Sequence, residues 1–358
     1  MTYHLLGPSG LRVSDVALGT MTFGDDWGWG APRDEARQMF DAFAEAGGTL
    51  IDTANVYTNG TSEQLVGEFV GAERDRFVVA TKYAAAMRPG DPNAGGNGRK
   101  ALVQSVEGSL ERLGTDYIDL LWVHAWDGLT PVAETVRALD DLVRAGKVLY
   151  LGISDTPAWV VSEAITLAEE RGLTPFSAIQ VEYSLVERTP ERDLLPMARA
   201  HGLSVLDWSP LASGALTGKY LDADVGGDGA SGGGERLDQL AGSDMHAKYR
   251  TERATRIARE TAAVAAEVGR SPAQVAIAWL RQRPGHHVPI LGARKLSHLQ
   301  DNLGALDLTL DAEHVRRLDD ASRIGLGFPH DLLRTEAMRG MVFGGTVDQI
   351  APAPLSQV

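Results

Sequence analysis

Three consecutive stretches decide how this chain folds: FVVATK (Phe77–Lys82), KALVQSVEGSLERLG (Lys100–Gly114) and DYIDLLWVH (Asp116–His124). The first and third are short apolar runs rich in β-branched residues, and each ends on a polar side chain. Between them Leu102, Val106, Leu110 and Leu113 recur at three and four, the helical period. Gly114 follows, where a left-handed helix cap suits glycine. The unit is strand, helix, strand.

The same unit repeats outward in both directions. Strands are expected at Asp15–Met21, Thr49–Ala54, Phe77–Lys82, Tyr117–His124, Leu149–Ser154, Ala178–Glu182, Ser204–Trp208 and His287–Leu291. Amphipathic helices are expected at Arg33–Glu45, Lys100–Leu113, Val132–Ala145, Trp159–Arg171 and Glu191–His201. Eight strands alternating with helices predict a parallel sheet closed into a (β/α)8 TIM barrel. A doubly wound open sheet competes, but no G-x-G-x-x-G follows the first strand. Tyr3–Leu6 and Leu11–Val13 flank Gly7-Pro8-Ser9-Gly10 and read as an N-terminal β-hairpin across the barrel's bottom. Residues 1–325 make one barrel domain. Residues 326–358 are an extended C-terminal tail that could cover the mouth of the barrel. Two Gly-rich stretches, Ala84–Gly98 and Asp222–Glu235, follow strand ends and read as lids or disordered loops.

Composition narrows the class. The chain has 358 residues, 44% of them hydrophobic, enough for a large core. Lys and Arg number 34 against 48 Asp and Glu, a net charge of −14, which argues against nucleic acid or an anionic membrane as partner. The absence of cysteine excludes disulfides, thiolate metal sites and a Cys nucleophile. No apolar run approaches a membrane span of about 20 residues, and MTYHLLGPSG lacks a signal peptide's apolar region. The reading is a soluble cytoplasmic protein. His286 and His287 are adjacent, and no His/carboxylate set at helical spacing marks a metal.

Four polar residues stand at successive strand ends: Asp52, Tyr57 just beyond it, Lys82 and His124. Each alone has an ordinary structural reading. A closed barrel brings all four to one mouth, the face where barrel active sites lie.

The motifs LGTMTFG, IDTANVYTNGTSEQLVGE, VVATKY, DYIDLLWVHAWD, GKVLYLGISDTPAWVV, AIQVEYSLVER, WSPLASGALTGKY and LGARKLSHLQDNLGAL run in order along nearly the whole chain. Together they resemble the aldo-keto reductase superfamily, most of all its aryl-alcohol dehydrogenase and norsolorinic-acid-reductase-like branch. The resemblance implies a catalytic tetrad. Tyr57 would be the general acid, Lys82 would lower its pKa, Asp52 would hold Lys82, and His124 would orient the carbonyl. It implies NADPH/NADP+ as cofactor. Thr20, Met21, Asp52, Ser154, Asp155 and Gln180 would meet its nicotinamide end, with Trp208 stacked on the ring. Asp155 stands where the family usually has Asn. Ser209, Pro210, Leu211, Gly214 and Lys219 would hold the pyrophosphate. Gly292, Arg294, His298, Asp301 and Asn302 would hold the adenosine end, with Arg294 on the 2′-phosphate.

The substrate expected is a small aldehyde or ketone. A pocket wall of Met21, Phe23, Trp27, Trp29, Tyr83 and Trp126 suits an aromatic or hydrophobic one. The same aromatic surface suits a keto-sugar. A non-catalytic NADPH-binding regulator is the alternative of another class. The sequence carries no sign of oligomeric state or of the preferred direction.

Overall fold

The computed structural model describes residues 1–221 and 247–350. Among them ten strands form: β1 (Tyr3–Leu5), β2 (Arg12–Ser14), β3 (Ala17–Gly19), β4 (Leu50–Asp52), β5 (Val78–Tyr83), β6 (Ile118–Val123), β7 (Val148–Ser154), β8 (Phe176–Glu182), β9 (Ser204–Trp208) and β10 (His287–Gly292). Strands β3 to β10 pair in parallel, each with the next, and β10 pairs back onto β3. The barrel expected from the sequence is the barrel observed, strand for strand.

Helices α1 (Arg33–Glu45), α2 (Thr61–Val70), α3 (Arg99–Leu113), α4 (Val132–Arg144), α5 (Ala158–Arg171) and α6 (Leu194–Ala200) separate the strands from β3 to β9. After β9 come α7 (Glu252–Val268) and α8 (Pro272–Arg281), and after β10 come α9 (Leu296–Leu303) and α10 (Ala312–Ser322). The last expected helix, Glu191–His201, is shorter than its pattern suggests. A one-turn 3-10 segment, Thr189–Glu191, precedes it and the regular helix begins only at Leu194.

Each barrel strand is covered on both faces, so apolar residues alternate between two cores rather than between core and water. Inside the barrel lie Leu50, Val78, Ala80, Leu120, Trp122, Leu206 and Val288. Between sheet and helices lie Ile51, Val79, Tyr83, Leu121, Val205 and Leu291. Trp122 fills the barrel interior opposite Gly152 of β7. A Cβ at Gly152 would stand 2.3 Å from the Trp122 ring, so this strand position must be glycine for the indole to fit.

The hairpin β1–β2 closes the bottom as expected. Leu6 and Val13 join the interior core. Gly7 donates its N–H to Ser204 Oγ at 2.7 Å, at the start of β9. Its φ is 55°, and a Cβ there would lie 2.0 Å from the carbonyl oxygen of Ser177.

The stretch Ala84–Gly98, read from sequence as a lid or disordered loop, is fastened. Asn97 and Asp127 clasp each other: Asn97 N–H donates to Asp127 Oδ2 and Asp127 N–H to Asn97 Oδ1, both at 2.8 Å. The second Gly-rich stretch, Asp222–Glu235, lies outside the described residues. The tail's polar contacts run to the barrel flank. Arg192 donates to the Gly325 carbonyl at 3.1 Å, and His330 meets Asp193 at 3.3 Å. Two short helices, α11 (His330–Leu333) and α12 (Glu336–Phe343), follow with no buried residue.

Candidate active site

The residues at the strand ends converge. Lys82 is the last inward-facing residue of β5, fully buried, and its Nζ makes three contacts. It donates to Asp52 Oδ2 at 2.5 Å, to the Thr53 carbonyl at 2.8 Å and to the Tyr57 hydroxyl at 3.2 Å. Burial works against the Lys82 charge, but Asp52 and Tyr57 outweigh it and hold its pKa above the ordinary lysine value. Asp52 is held from the other side as well. Gln180 on β8 donates its Nε2 to Asp52 Oδ1 at 2.9 Å.

Tyr57 follows β4 on a single 3-10 turn whose next two residues, Thr58 and Asn59, are left-handed at φ 44° and 57°. The Thr58 hydroxyl donates to the Phe23 carbonyl at 2.6 Å and fixes this tight turn. Tyr57 stands edge-on to His124, with ring centroids 6.0 Å apart. His124 is at the end of β6, and burial, aided by the Lys82 charge, lowers its pKa to about 3. Its Nδ1 is buried without a partner. The four residues therefore form one contiguous group around the Tyr57 hydroxyl.

Beside it lies a cradle suited to a nicotinamide. Ser154 ends β7, and its hydroxyl is buried with no hydrogen-bond partner. Gln180 has given its N–H to Asp52, which leaves its Oε1 as an acceptor. Trp208 donates its indole N–H to Asp155 Oδ1 at 3.0 Å. Asp155 is left-handed at φ 41°. It is open to water toward the mouth and crowded by protein behind, and this crowding raises its pKa to about 6. Asp155 thus orients Trp208, a role that family pattern alone did not suggest.

The stretch after Trp208 folds into a cluster of left-handed residues: Ser209 at φ 53°, Ala212 at 50°, Ser213 at 54° and Gly214 at 95°. Right- and left-handed residues in succession turn backbone N–H groups toward one point and suit an anion. Lys219 Nζ lies 3.3 Å from where a Gly214 Cβ would stand. The Ser213 hydroxyl is buried and unpartnered, and its residue type gave no signal in the sequence. Ser209 is anchored through Tyr249 to Glu182 at the end of β8. Lys248, next to Tyr249, binds Glu182 at 2.7 Å and Glu187 at 2.8 Å.

At the start of α9, the charges of Lys295, Lys219 and Arg294 all act on His298, whose pKa is lowered first by burial and then by them. These four side chains share one positive spot. The first helix N–H, that of Leu296, is taken by Glu35 Oε1 at 2.6 Å. Arg294 also donates to the Trp29 carbonyl at 3.5 Å.

Some expected residues are engaged elsewhere. The Thr20 hydroxyl is fully buried, 3.0 Å from the Asp52 carbonyl and 2.8 Å from Ser62 Oγ. Both Asp301 oxygens accept bonds at the start of α8, at 2.8 Å from its N-cap Ser271 and 2.9 Å from Gln274. Phe23 and Tyr83 do not line the mouth. Both are buried in the layer between sheet and helices, because Tyr83 alternates with inward-facing Lys82 and Phe23 packs on Phe69. Four tryptophans stand in two pairs, half-buried Trp27 with half-buried Trp29 at 5.6 Å and half-buried Trp126 with exposed Trp159 at 5.5 Å. Trp159 begins α5 and reads from sequence only as an amphipathic helix residue.

Among the described residues, no group of three His, Asp or Glu side chains is placed to hold a metal, and no helix is long and apolar enough to cross a membrane.

A closed parallel barrel thus joins a buried Lys–Asp pair to a tyrosine, beside a loop of left-handed residues. The model of the aldo/keto reductase family matches residues 15–323. The chain is 39% identical to norsolorinic acid reductase of Aspergillus flavus, covering 92% of this chain and 84% of the relative. It is 40% identical to the NADP(+) aryl-alcohol dehydrogenase of Phanerodontia chrysosporium, covering 90% and 86%. It is 37% identical to an aldo-keto reductase of Aspergillus calidoustus, covering 99% and 90%. The chain belongs to the aldo/keto reductase family. It is an oxidoreductase of carbonyl groups, with NADPH/NADP+ as its cofactor.

Proposed function

We propose that the protein reduces aromatic or hydrophobic aldehydes and ketones to alcohols, with Tyr57 as proton donor. The observation that carries this is the bridge made by Lys82 Nζ between Asp52 and the Tyr57 hydroxyl. A free phenol has a pKa of about 10, too high for an efficient acid near neutral pH. A fixed cation 3.2 Å away favours the phenolate and so strengthens the acid. The Tyr57 oxygen accepts from Lys82, and its O–H carries the proton that would pass to a substrate oxygen.

His124 is neutral at ordinary pH. A buried orphan N–H is rarer than a buried orphan acceptor, so the ring proton belongs on Nε2 and not on the unpartnered Nδ1. Nε2–H then supplies a second donor where negative charge develops on the carbonyl oxygen, the usual large catalytic contribution. NADPH, when bound, supplies the hydride.

Ser154, Asp155 and Gln180 suit its carboxamide, Trp208 its ring and the loop from Ser209 to Gly214 with Lys219 its pyrophosphate. Arg294, with Lys295 and His298 beside it, suits the 2′-phosphate, since a guanidinium fork matches phosphate geometry. The two partly exposed tryptophan pairs suit an aromatic substrate, and one relative is named for aryl alcohols.

The test follows NADPH absorbance across aromatic aldehydes, aliphatic aldehydes, keto-sugars and quinones. Highest kcat/KM on the aromatic carbonyls is expected. A preference for keto-sugars would move the assignment to sugar reduction, and no turnover on any of them would leave a cofactor-binding regulator.

A further inference from the structure

A cavity of about 310 Å³ lies on the barrel's flank between α6 and the turn before β10, beneath the start of the tail. His287 lines it, and His287 points outward because its neighbour Val288 faces the barrel interior. The sheet wall therefore separates this cavity from the tetrad. Five arginines line it, Arg188, Arg199, Arg283, Arg323 and Arg334, with Glu191 the one carboxylate among the lining residues. That concentration stands out in a chain of net charge −14.

Three of the five are balanced. Arg188 binds Glu191 at 2.7 Å, Arg283 binds Asp319 at 3.0 Å and Arg323 binds Asp320 at 2.7 Å. Arg199 and Arg334 have no ion-pair or hydrogen-bond partner for their guanidiniums among the described residues. The Nε atoms of Arg199 and Arg283 are buried without a partner. A buried N–H left unpaired is destabilising, more so when charged, so these donors call for an acceptor. The floor is aromatic and fixed: the Tyr183 and His287 rings pack 5.5 Å apart, and His287 Nδ1 is 3.0 Å from Asp207.

We propose that this cavity binds a small phosphate-bearing anion. Guanidinium forks on several elements match a phosphate's oxygens two at a time. The volume admits a phosphate or pyrophosphate group with a small organic part and is too small for a second dinucleotide.

The test is calorimetric titration of inorganic pyrophosphate into protein saturated with NADP+, so that the cofactor's own phosphate loop is filled. One-to-one binding is expected. Arg199→Gln and Arg334→Gln should each weaken it about tenfold, the loss of one charged hydrogen bond, with an unchanged circular dichroism spectrum and unchanged kcat. Arg199 makes no structural hydrogen bond through its side chain, so this variant should fold. Inorganic phosphate and glycerol phosphate, titrated in parallel, distinguish a free phosphate from an ester. Absence of binding once NADP+ is bound would overturn the proposal, as would wild-type affinity in both variants. Citrate bound as tightly as pyrophosphate at matched ionic strength would overturn the phosphate assignment. The readout is binding alone, so it stands or falls apart from the substrate class proposed above.

Discussion

Tyr57 and Lys82 carry the sharpest expectations at the scale of single residues. Tyr57→Phe keeps the ring and removes only the proton donor, so carbonyl reduction should be nearly abolished while NADPH affinity is retained. Stopped-flow hydride transfer and cofactor fluorescence titration separate the two; wild-type turnover in this variant would exclude Tyr57 as the acid. Lys82→Met should lose activity and also stability, because it strands the Asp52 carboxylate in a fully enclosed site with only Gln180 beside it. Breaking a buried ion pair from one side typically destabilises by about 3–5 kcal/mol. Urea denaturation measures this, and an unchanged midpoint would show that the ion pair contributes nothing to stability. These four residues were legible in the sequence because strand ends of a closed barrel share one mouth. Ser213 and the Asp155–Trp208 bond were not, since both depend on left-handed backbone that no single residue type announces.

At the scale of elements, the start of α9 is the place to test cofactor choice. Arg294→Ala should weaken NADPH far more than NADH, by roughly ten- to a hundredfold, the loss of a charged hydrogen bond of about 1.5–3 kcal/mol. Equal losses for the two cofactors would assign Arg294 to holding the Trp29 loop instead. A second test belongs to the pairing of β6 with β7. Gly152→Ala puts a methyl group 2.3 Å from the Trp122 ring, and overpacking of this kind typically destabilises by about 1–3 kcal/mol. A melting temperature equal to wild type would show that the indole can shift. Strand positions were read well because buried parallel strands are continuous apolar runs. The bonds that hold the Ala84–Gly98 stretch were not legible, because contacts such as the Asn97–Asp127 clasp span 30 residues and are invisible to local composition. Backbone N–H groups of Asn97, Leu129 and Thr130 overcome burial to hold Asp127 at a pKa of about 2, so the clasp persists through mild acid.

For the whole molecule, two histidines predict how stability responds to pH. Burial lowers His124 to about 3, and burial with the nearby His4 and His287 lowers His286 to about 4. In the unfolded chain both take up protons near pH 6.5, while the fold refuses them until far lower pH. The unfolded state therefore binds more protons across that window, and stability is full above pH 6.5 and lost as pH falls toward 4 and 3. The urea midpoint should decline from pH 7 to pH 5, and His286→Gln should make that decline shallower. A midpoint independent of pH in wild type would refute the assignment. The architecture as a whole was legible from eight repeated units. The arginine-lined cavity was not, because its residues come from four separate stretches of chain that only the closed barrel brings together.

The double hold on Asp52 has a consequence for how the enzyme comes into being. Its two partners are Lys82, 30 residues away in sequence, and Gln180, 128 away, while Thr22 and Ala293 tie the first and last barrel strands across 271 residues. A nascent chain leaving the ribosome exposes Tyr57 and Lys82 early, yet nothing fixes the far oxygen of Asp52 until β8 has emerged, and the ring is not sealed until β10 follows. Contacts of such long sequence separation form late. Partly synthesised, nicked or truncated chains should thus carry all four tetrad residues and remain inert, so that turnover itself reports completed biosynthesis.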